Sequence, residues 1–282
     1  MSKPLVIYHG NCADGFGAAW VFRHAGDQEY DFHPGVYQDA PPNVEGRTVY
    51  LVDFSYKRPV VEAMREQANR IVLIDHHKTA IDDLAPLMES GAIEHLVSLE
   101  HSGAVLAWQW FCGNFQEPPQ MLRHIEDRDL WRFALPYTRE IQACIFSHPY
   151  DFRVWDKLML AEPEEIQAFI REGQAIERKH HKDIAELVGV VTRNMEIGGH
   201  CVPVANLPYT LSSDAGHLLA KGAPFAACYW DTPEGRVFSL RSTDEGLDVS
   251  AIAKQYGGGG HIHASGFRVP YGHPLTTAEV TT

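Results

Sequence analysis

Short apolar runs alternate with stretches of helical periodicity through the first half of the chain, and three of those runs end on acidic or imidazole side chains. Leu5-Val6-Ile7-Tyr8 leads into His9, Thr48-Val49-Tyr50-Leu51-Val52 into Asp53, and Ile71-Val72-Leu73-Ile74 into Asp75-His76-His77. Runs of this length, rich in β-branched residues and separated by helix-like segments, predict parallel strands of an α/β sheet. Chemistry in such sheets collects outside the carboxyl ends of the strands. The pattern therefore delivers three separated groups of polar side chains to one place.

The intervening segments fill in the scheme. Gly15 to Phe22 reads as a turn entering a helix, and Arg58 to Ala68, with Val60, Val61 and Met64 apolar, as another. Ser102 stands as N-cap before Gly103 to Trp108. A helix from Pro119 to Glu126 delivers Asp127, and the aromatic stretch from Phe146 to Ala161 reads as short helices closing a first domain. Pro163 opens a long helix, with Glu164 and Glu165 in its first turn, running to about Val188 as a connector. The pattern then restarts. Val202 to Ala205 is a strand, and Ser212 or Ser213 caps a helix to Ala220. Phe225 to Trp230 and Arg236 to Leu240 form a hairpin around Asp231 to Gly235. Val249 to Tyr256 is a short helix, followed by Gly257-Gly258-Gly259-Gly260-His261 and Ala264 to Phe267. The expected organisation is a catalytic domain over 1–160, a connecting helix over 161–194, a smaller α/β substrate-binding domain over 195–270, and a polar, frayed tail over 271–282.

Composition narrows the class. With 282 residues, 45% of them hydrophobic, the chain can bury one large core or two modest ones. No apolar stretch approaches the roughly 20 residues that span a bilayer, and the start lacks a secretory pattern. The five cysteines are scattered, with no C-x-x-C pair, so neither a disulfide framework nor a structural zinc site is indicated. A cytoplasmic location is expected. The net charge of −13 argues against a broad basic surface for long duplexes but allows a short nucleotide in a locally positive pocket.

Aspartates and histidines converging at strand ends are ligands for divalent metals, and a metal-assisted hydrolase is the chemistry they suggest. Each has a plainer rival. Asp53 alone is more economically a strand-end turn residue, Asp75 a helix cap, His9 a half-buried histidine and Cys12 a small packing residue. Joint placement at three strand ends favours the metal reading. In the second half, successive glycines let backbone N–H groups converge on an anion. His261 and Arg241 can add charge-assisted hydrogen bonds there. The Arg178 to Lys182 run reads as a solvated helix face.

The Asp75-His76-His77 run after a strand, His9 and Asp14 upstream, and the distal GGGGHIHASG run together resemble the DHH phosphoesterase superfamily. The closer resemblance is to the branch with the DHH-associated C-terminal domain, which includes short-oligonucleotide exonucleases (nanoRNases) and cyclic-dinucleotide-related phosphodiesterases. The resemblance extends from His9 to Phe267. It implies metal ligands at His9, Asp14, Asp53, His76 and Asp127, with Asp129 as the alternative to Asp127 and Asp53 bridging two ions. It implies that His77 faces the substrate phosphate and that Asp75 orients its neighbours. It also assigns substrate contacts to Arg241, Gly258, Gly259, Gly260 and His261, while Ser102 is either a further substrate contact or only a cap. In one respect the chain departs from the family pattern. The first aspartate of the D-x-D in the opening motif falls on Cys12, which leaves one metal position short of a carboxylate, and a soft sulfur ligand suits Mn²⁺ or Mg²⁺ poorly.

The implied activity is hydrolysis of phosphodiester bonds in short oligonucleotides or dinucleotides, with one or two Mn²⁺ ions, or Mg²⁺ in their place. Two alternatives stay open. One is a phosphomonoesterase for a small nucleotide such as a 3′-phosphonucleotide, the other a nucleotide-binding regulator weakened at Cys12. The expected partner is a short nucleotide substrate, with no long duplex and no membrane, and a homodimer is left open.

Overall fold

Alternation of side chains along each strand decides the layering of the first unit. The computed structural model describes residues 2–277 and divides into two compact units, 1–177 and 178–282. The first unit runs β1 (Leu5–His9), α1 (Ala13–Ala25), β2 (Asp31–Gly35), β3 (Thr48–Val52), α2 (Arg58–Arg65), β4 (Arg70–Asp75), α3 (Lys78–Glu89), β5 (Glu94–Val97), α4 (Gly103–Cys112), α5 (Gln120–Asp129), α6 (Thr138–Phe146) and α7 (Phe152–Met159). Its five strands pair in parallel in the order β2-β1-β3-β4-β5. Val6, Tyr50, Val52, Val72 and Ile74 bury one face of the sheet in a core shared with α1, α4, α5 and α7. Leu5, Ile7, Val49, Leu51, Ile71 and Leu73 bury the other face with Val61, Met64, Leu84 and Leu87 of α2 and α3. The sheet is thus a middle layer between two helical layers, which is why its inner strands read as unbroken apolar runs.

The strand order reverses between β1 and β3, and an open sheet offers its crevice at such a point. β1, β3 and β4, the three strands read from the sequence, are adjacent. Helix α1 starts at Ala13, before the Gly15 turn read from the sequence, so Asp14 lies in its first turn. Gly15 lets α1 close on β1, since a Cβ there would sit 2.4 Å from the His9 carbonyl oxygen. Helix α5 runs on to Asp129 rather than stopping at Glu126.

The helix opened by Pro163, α8 (Pro163–Val191), continues to Val191, and the division between the units falls inside it, after Glu177. The second unit then runs β6 (Thr192–Ile197), β7 (His200–Asn206), α9 (Ser212–Ala220), β8 (Ala226–Thr232), β9 (Gly235–Arg241), α10 (Val249–Gln255), β10 (Gly259–Gly260) and β11 (Ala264–Val269). These strands form a mixed sheet in the order β10-β11-β9-β8-β7-β6, with β7 and β8 parallel and the other pairs antiparallel. The expected hairpin is β8–β9, its mouth held by Arg236 paired to Asp231 at 2.8 Å. The expected frayed tail is not frayed over 271–277. Leu275 is buried in the core of this unit and Tyr271 donates to the Thr232 carbonyl at 2.8 Å. Residues 278–282 of that tail lie outside the described residues. Among the described residues, no helix is long and apolar enough to cross a membrane.

Candidate metal centre

Asp53 follows β3 in a left-handed backbone conformation, φ +53°, with its N–H donating to the Ile74 carbonyl at 2.9 Å. An aspartate tolerates that conformation better than a bulky residue, and such strain gathers at functional sites. The carboxylate is buried between two histidines. His76 Nε2 donates to Asp53 Oδ1 at 3.0 Å, and His9 Nδ1 lies 3.4 Å from Asp53 Oδ2. His76 Nε2 is also 3.5 Å from Asp14 Oδ2 and 3.4 Å from Asp129 Oδ2.

Asp14 is fixed by the start of α4. Its carboxylate accepts from Gly103 N at 2.6 Å and Ala104 N at 3.0 Å, where the helix dipole favours negative charge. Gly103 is required by this approach, because a Cβ would meet Asp53 Cβ at 2.5 Å and Asp14 Oδ2 at 3.0 Å. Asp75 organises the turn after β4. One of its oxygens accepts from His76 N at 2.7 Å, His77 N at 3.1 Å and His77 Nδ1 at 2.7 Å. That last bond sets the His77 tautomer and leaves chemistry at that ring to Nε2.

The structure brings together His9, Asp14, Asp53, Asp75, His76 and His77, and corrects two expectations. Asp127 does not face the cluster. Its carboxylate accepts from Ala134 N (2.8 Å), Leu135 N (3.1 Å) and Thr138 Oγ1 (2.5 Å), and so ties down the loop after α5. Asp129, two residues on, takes the place beside His76. Ser102 does not reach a substrate surface. It is fully buried, caps α4 by accepting from Val105 N and hydrogen-bonds Asp14. Cys12 stands at the N-cap of α1, hydrogen-bonded to His9. Burial, then the Asp53 charge, push its thiol up, so in the metal-free chain the sulfur is protonated. The sequence reading missed Gly103, whose signal is the glycine right after a capping serine. It also missed Tyr37, whose ring packs 5.3 Å from that of His9 and 4.9 Å from that of Phe54.

In the second unit Arg241 closes β9. Its guanidinium donates to Ser239 Oγ (3.0 Å), Leu240 O (2.8 Å) and Ser213 Oγ (2.7 Å). The glycine run lies one strand away, with Gly260 opposite Ser265 and Ala264 opposite Arg241. These glycines are not an open nest. A Cβ on Gly258 would sit 2.1 Å from the Gly266 carbonyl oxygen, and Gly259–Gly260 pair as a strand.

The donor set fits divalent cations. Ligand atoms of Asp14, Asp53 and His76 lie within 4.8 Å of one another, as do those of His9, Asp53 and His77. Asp53 belongs to both groups, with Oδ1 toward His76 and Oδ2 toward His9. The electrostatics ask for positive charge. Burial, then the charges of Asp53 and Asp129, raise the Asp14 carboxyl well above the usual range. Burial also opposes ionisation of Asp53, but hydrogen bonds from His76 and His9 outweigh it and hold Asp53 well below. Burial lowers His76, yet the Asp53 hydrogen bond and the three carboxylate charges carry it up to about 10.

These shifts set a pH dependence. The folded chain keeps on His76 a proton that an unfolded histidine releases near pH 6.5. The stability this proton contributes is full below pH 6.5 and is lost as pH rises toward 10. The raised Asp14 acts in the same direction. The melting temperature in EDTA is therefore expected to fall between pH 6.5 and 9, and Mn²⁺ to oppose the fall as cations replace protons at the ligands. A flat profile in EDTA would refute the coupled cluster.

The chain matches no family model. It is 30% identical over 290 aligned positions to an uncharacterized protein of Acanthamoeba polyphaga mimivirus, covering 93% of this chain and 66% of that protein. It is 24% identical over 239 positions to oligoribonuclease NrnB of Bacillus subtilis (strain 168), covering 77% of this chain and 58% of that protein. The chain thus spans less than two thirds of the length of each of these relatives. The DHH domain of a protein assigned to a family of ribosomal proteins superposes with a TM-score of 0.60 at 13% identity, over 94% of this chain and 82% of that one. The chain thus shares the fold of a DHH domain. The pGpG-specific phosphodiesterase PggH of Vibrio cholerae superposes at a TM-score of 0.50 and 15% identity, over 96% of this chain and 94% of that one. A parallel-sheet DHH domain followed by a smaller α/β unit accounts for the whole described chain.

Proposed function

We propose that the chain is a metal-dependent phosphoesterase that hydrolyses phosphodiester bonds of short oligonucleotides or dinucleotides. The observation that carries this reading is the sharing of Asp53 between two adjacent ligand groups at the switch point of the sheet. Support comes from the names of two similar proteins, an oligoribonuclease and a dinucleotide phosphodiesterase. Asp14 and His76 would hold one cation with Asp53, joined by Asp129. His9 would hold the other with Asp53, His77 lying beside it. The chemistry divalent cations would supply there is Lewis-acid polarisation of phosphoryl oxygens and a water of lowered pKa.

The chain's own groups do the rest. His77, its Nδ1–H held by Asp75, presents Nε2 to the substrate side as a hydrogen-bond or proton acceptor. Tyr37, half exposed beside His9, keeps its phenolic proton at neutral pH and so can donate a hydrogen bond. Within the second unit, Arg241 is the group suited to a phosphate oxygen. Mn²⁺ is the expected metal, with Mg²⁺ as the alternative.

The test is a panel assayed with Mn²⁺ and with EDTA, containing linear dinucleotides, oligomers of two to five nucleotides, cyclic dinucleotides and 3′-phosphonucleotides. Cleavage of dinucleotides and short oligomers, abolished by EDTA, is the expected result. Release of phosphate from 3′-phosphonucleotides alone would replace this reading by a phosphomonoesterase. Full activity in EDTA would overturn the metal mechanism.

A further inference from the structure

The loop that follows Asp129 carries features the metal centre leaves unexplained. Among its seven residues from Trp131 to Tyr137, three non-glycine residues hold left-handed backbone: Trp131 at φ +56°, Phe133 at +49° and Tyr137 at +66°. Such conformations are unfavourable for residues with a Cβ and persist only where the surroundings impose them. Here Asp127 imposes them. Its carbonyl accepts from Arg132 N at 2.8 Å and Phe133 N at 3.2 Å, while its carboxylate binds the Ala134 and Leu135 N–H groups and the Thr138 hydroxyl.

What the knot displays is an aromatic surface lined with cations. Trp131 and Phe133 meet edge to face at 4.9 Å, both only partly buried and neither part of the hydrophobic core. The Arg139 guanidinium lies 3.7 Å from the Phe133 ring centre and 5.5 Å from that of Trp131. Arg128 lies 5.9 Å from the Trp131 ring centre and 4.4 Å from that of Phe146. Two partly buried rings on a strained loop, in a chain of net charge −13 that here gathers arginines, form an uncommon surface. It sits two residues from Asp129, so the Cα atoms of Trp131 and Asp129 are within about 7 Å.

We propose that Trp131 and Phe133, with Arg139, form a nucleobase-stacking subsite beside the metal centre. Every base has a π-face, and stacking on aromatic side chains is sequence-tolerant, with arginine adding cation–π attraction. The inference rests on the phosphodiesterase reading and adds where a base flanking the scissile phosphate is held. A loop built only to leave α5 under the hold of Asp127 has no need of stackable rings at its surface.

The test is calorimetric titration in EDTA of the full chain with a purine nucleoside 5′-monophosphate and with ribose 5-phosphate, which has the same phosphate and no base. The unmodified chain is expected to bind the nucleotide about tenfold more tightly or better. Trp131→Ala should bring the two ligands to nearly equal affinity, and Trp131→Phe, which keeps a stacking face, should retain most of the preference. Arg139→Gln, which leaves both rings in place, should reduce the preference in part and covers the case of a Trp131→Ala chain that does not fold. Equal affinity for both ligands in the unmodified chain, or a base preference unchanged in folded Trp131→Ala and Arg139→Gln, would overturn the subsite. Absence of dinucleotide hydrolysis in the unmodified chain would instead overturn the phosphodiesterase reading, and the binding contrast would still decide the subsite.

Discussion

An Asp53→Asn variant is expected to lose hydrolysis by a factor on the order of a thousand, equivalent to about 4 kcal/mol of lost transition-state stabilisation. Asparagine keeps the shape but offers one neutral carbonyl where two charged oxygens now serve two ligand groups. Both cations would lose their shared negative ligand together, so the loss exceeds that for a ligand of one site. His76 would lose its strongest partner as well. Turnover of a dinucleotide at saturating Mn²⁺, alongside a Mn²⁺ binding isotherm, measures both effects. Near-normal turnover in a folded variant would remove Asp53 from the centre of the mechanism.

The second large effect separates two aspartates that lie two residues apart. Asp127→Ala removes a buried carboxylate that accepts from two backbone N–H groups and one hydroxyl. Stranding those donors should cost about 3–5 kcal/mol and lower the melting temperature by about 10 °C. Asp129→Asn should leave the melting temperature in EDTA unchanged or higher, since it removes one of three crowded carboxylates, and should lower activity by about a hundredfold. The pair of melting curves and the pair of rates should therefore cross. If Asp127→Ala keeps a native melting temperature but is inactive, the ligand assignment reverts to Asp127.

The choice between these residues shows where sequence reading stops. Residues two apart on a helix point to nearly opposite faces, so only one of Asp127 and Asp129 can face His76. Which one does depends on the phase and the end of α5, and the polar Glu126 to Asp129 stretch gives no apolar stripe to fix either. By contrast β1, β3 and β4 were legible because each is buried on both faces and ends abruptly on a polar residue. The outer strands were not. β2 reads Asp-Phe-His-Pro-Gly and β5 Glu-His-Leu-Val, edge strands whose polar residues and proline mask the pattern. Tyr37 follows edge strand β2 in a loop without periodicity, so nothing in its surroundings points to His9. The glycine run was visible as glycine, but its pairing against Ser265 and Gly266 is a long-range register that composition does not encode.

Gly103 gives the metal centre a property that its ligands alone would not. With no side chain, it is the spacer against which Asp14 and Asp53 are both seated, one on its amide and the other on its Cα face. The gap between the two carboxylates is therefore gauged by main chain and not by rotamers, which can relax around a larger or smaller ion. A gauge of that kind does not stretch. Selection among divalent ions by radius would then be inherited from the seating of α4 against the ends of β3 and α1. Changes that leave every ligand in place but shift α4 would retune which ion the centre prefers.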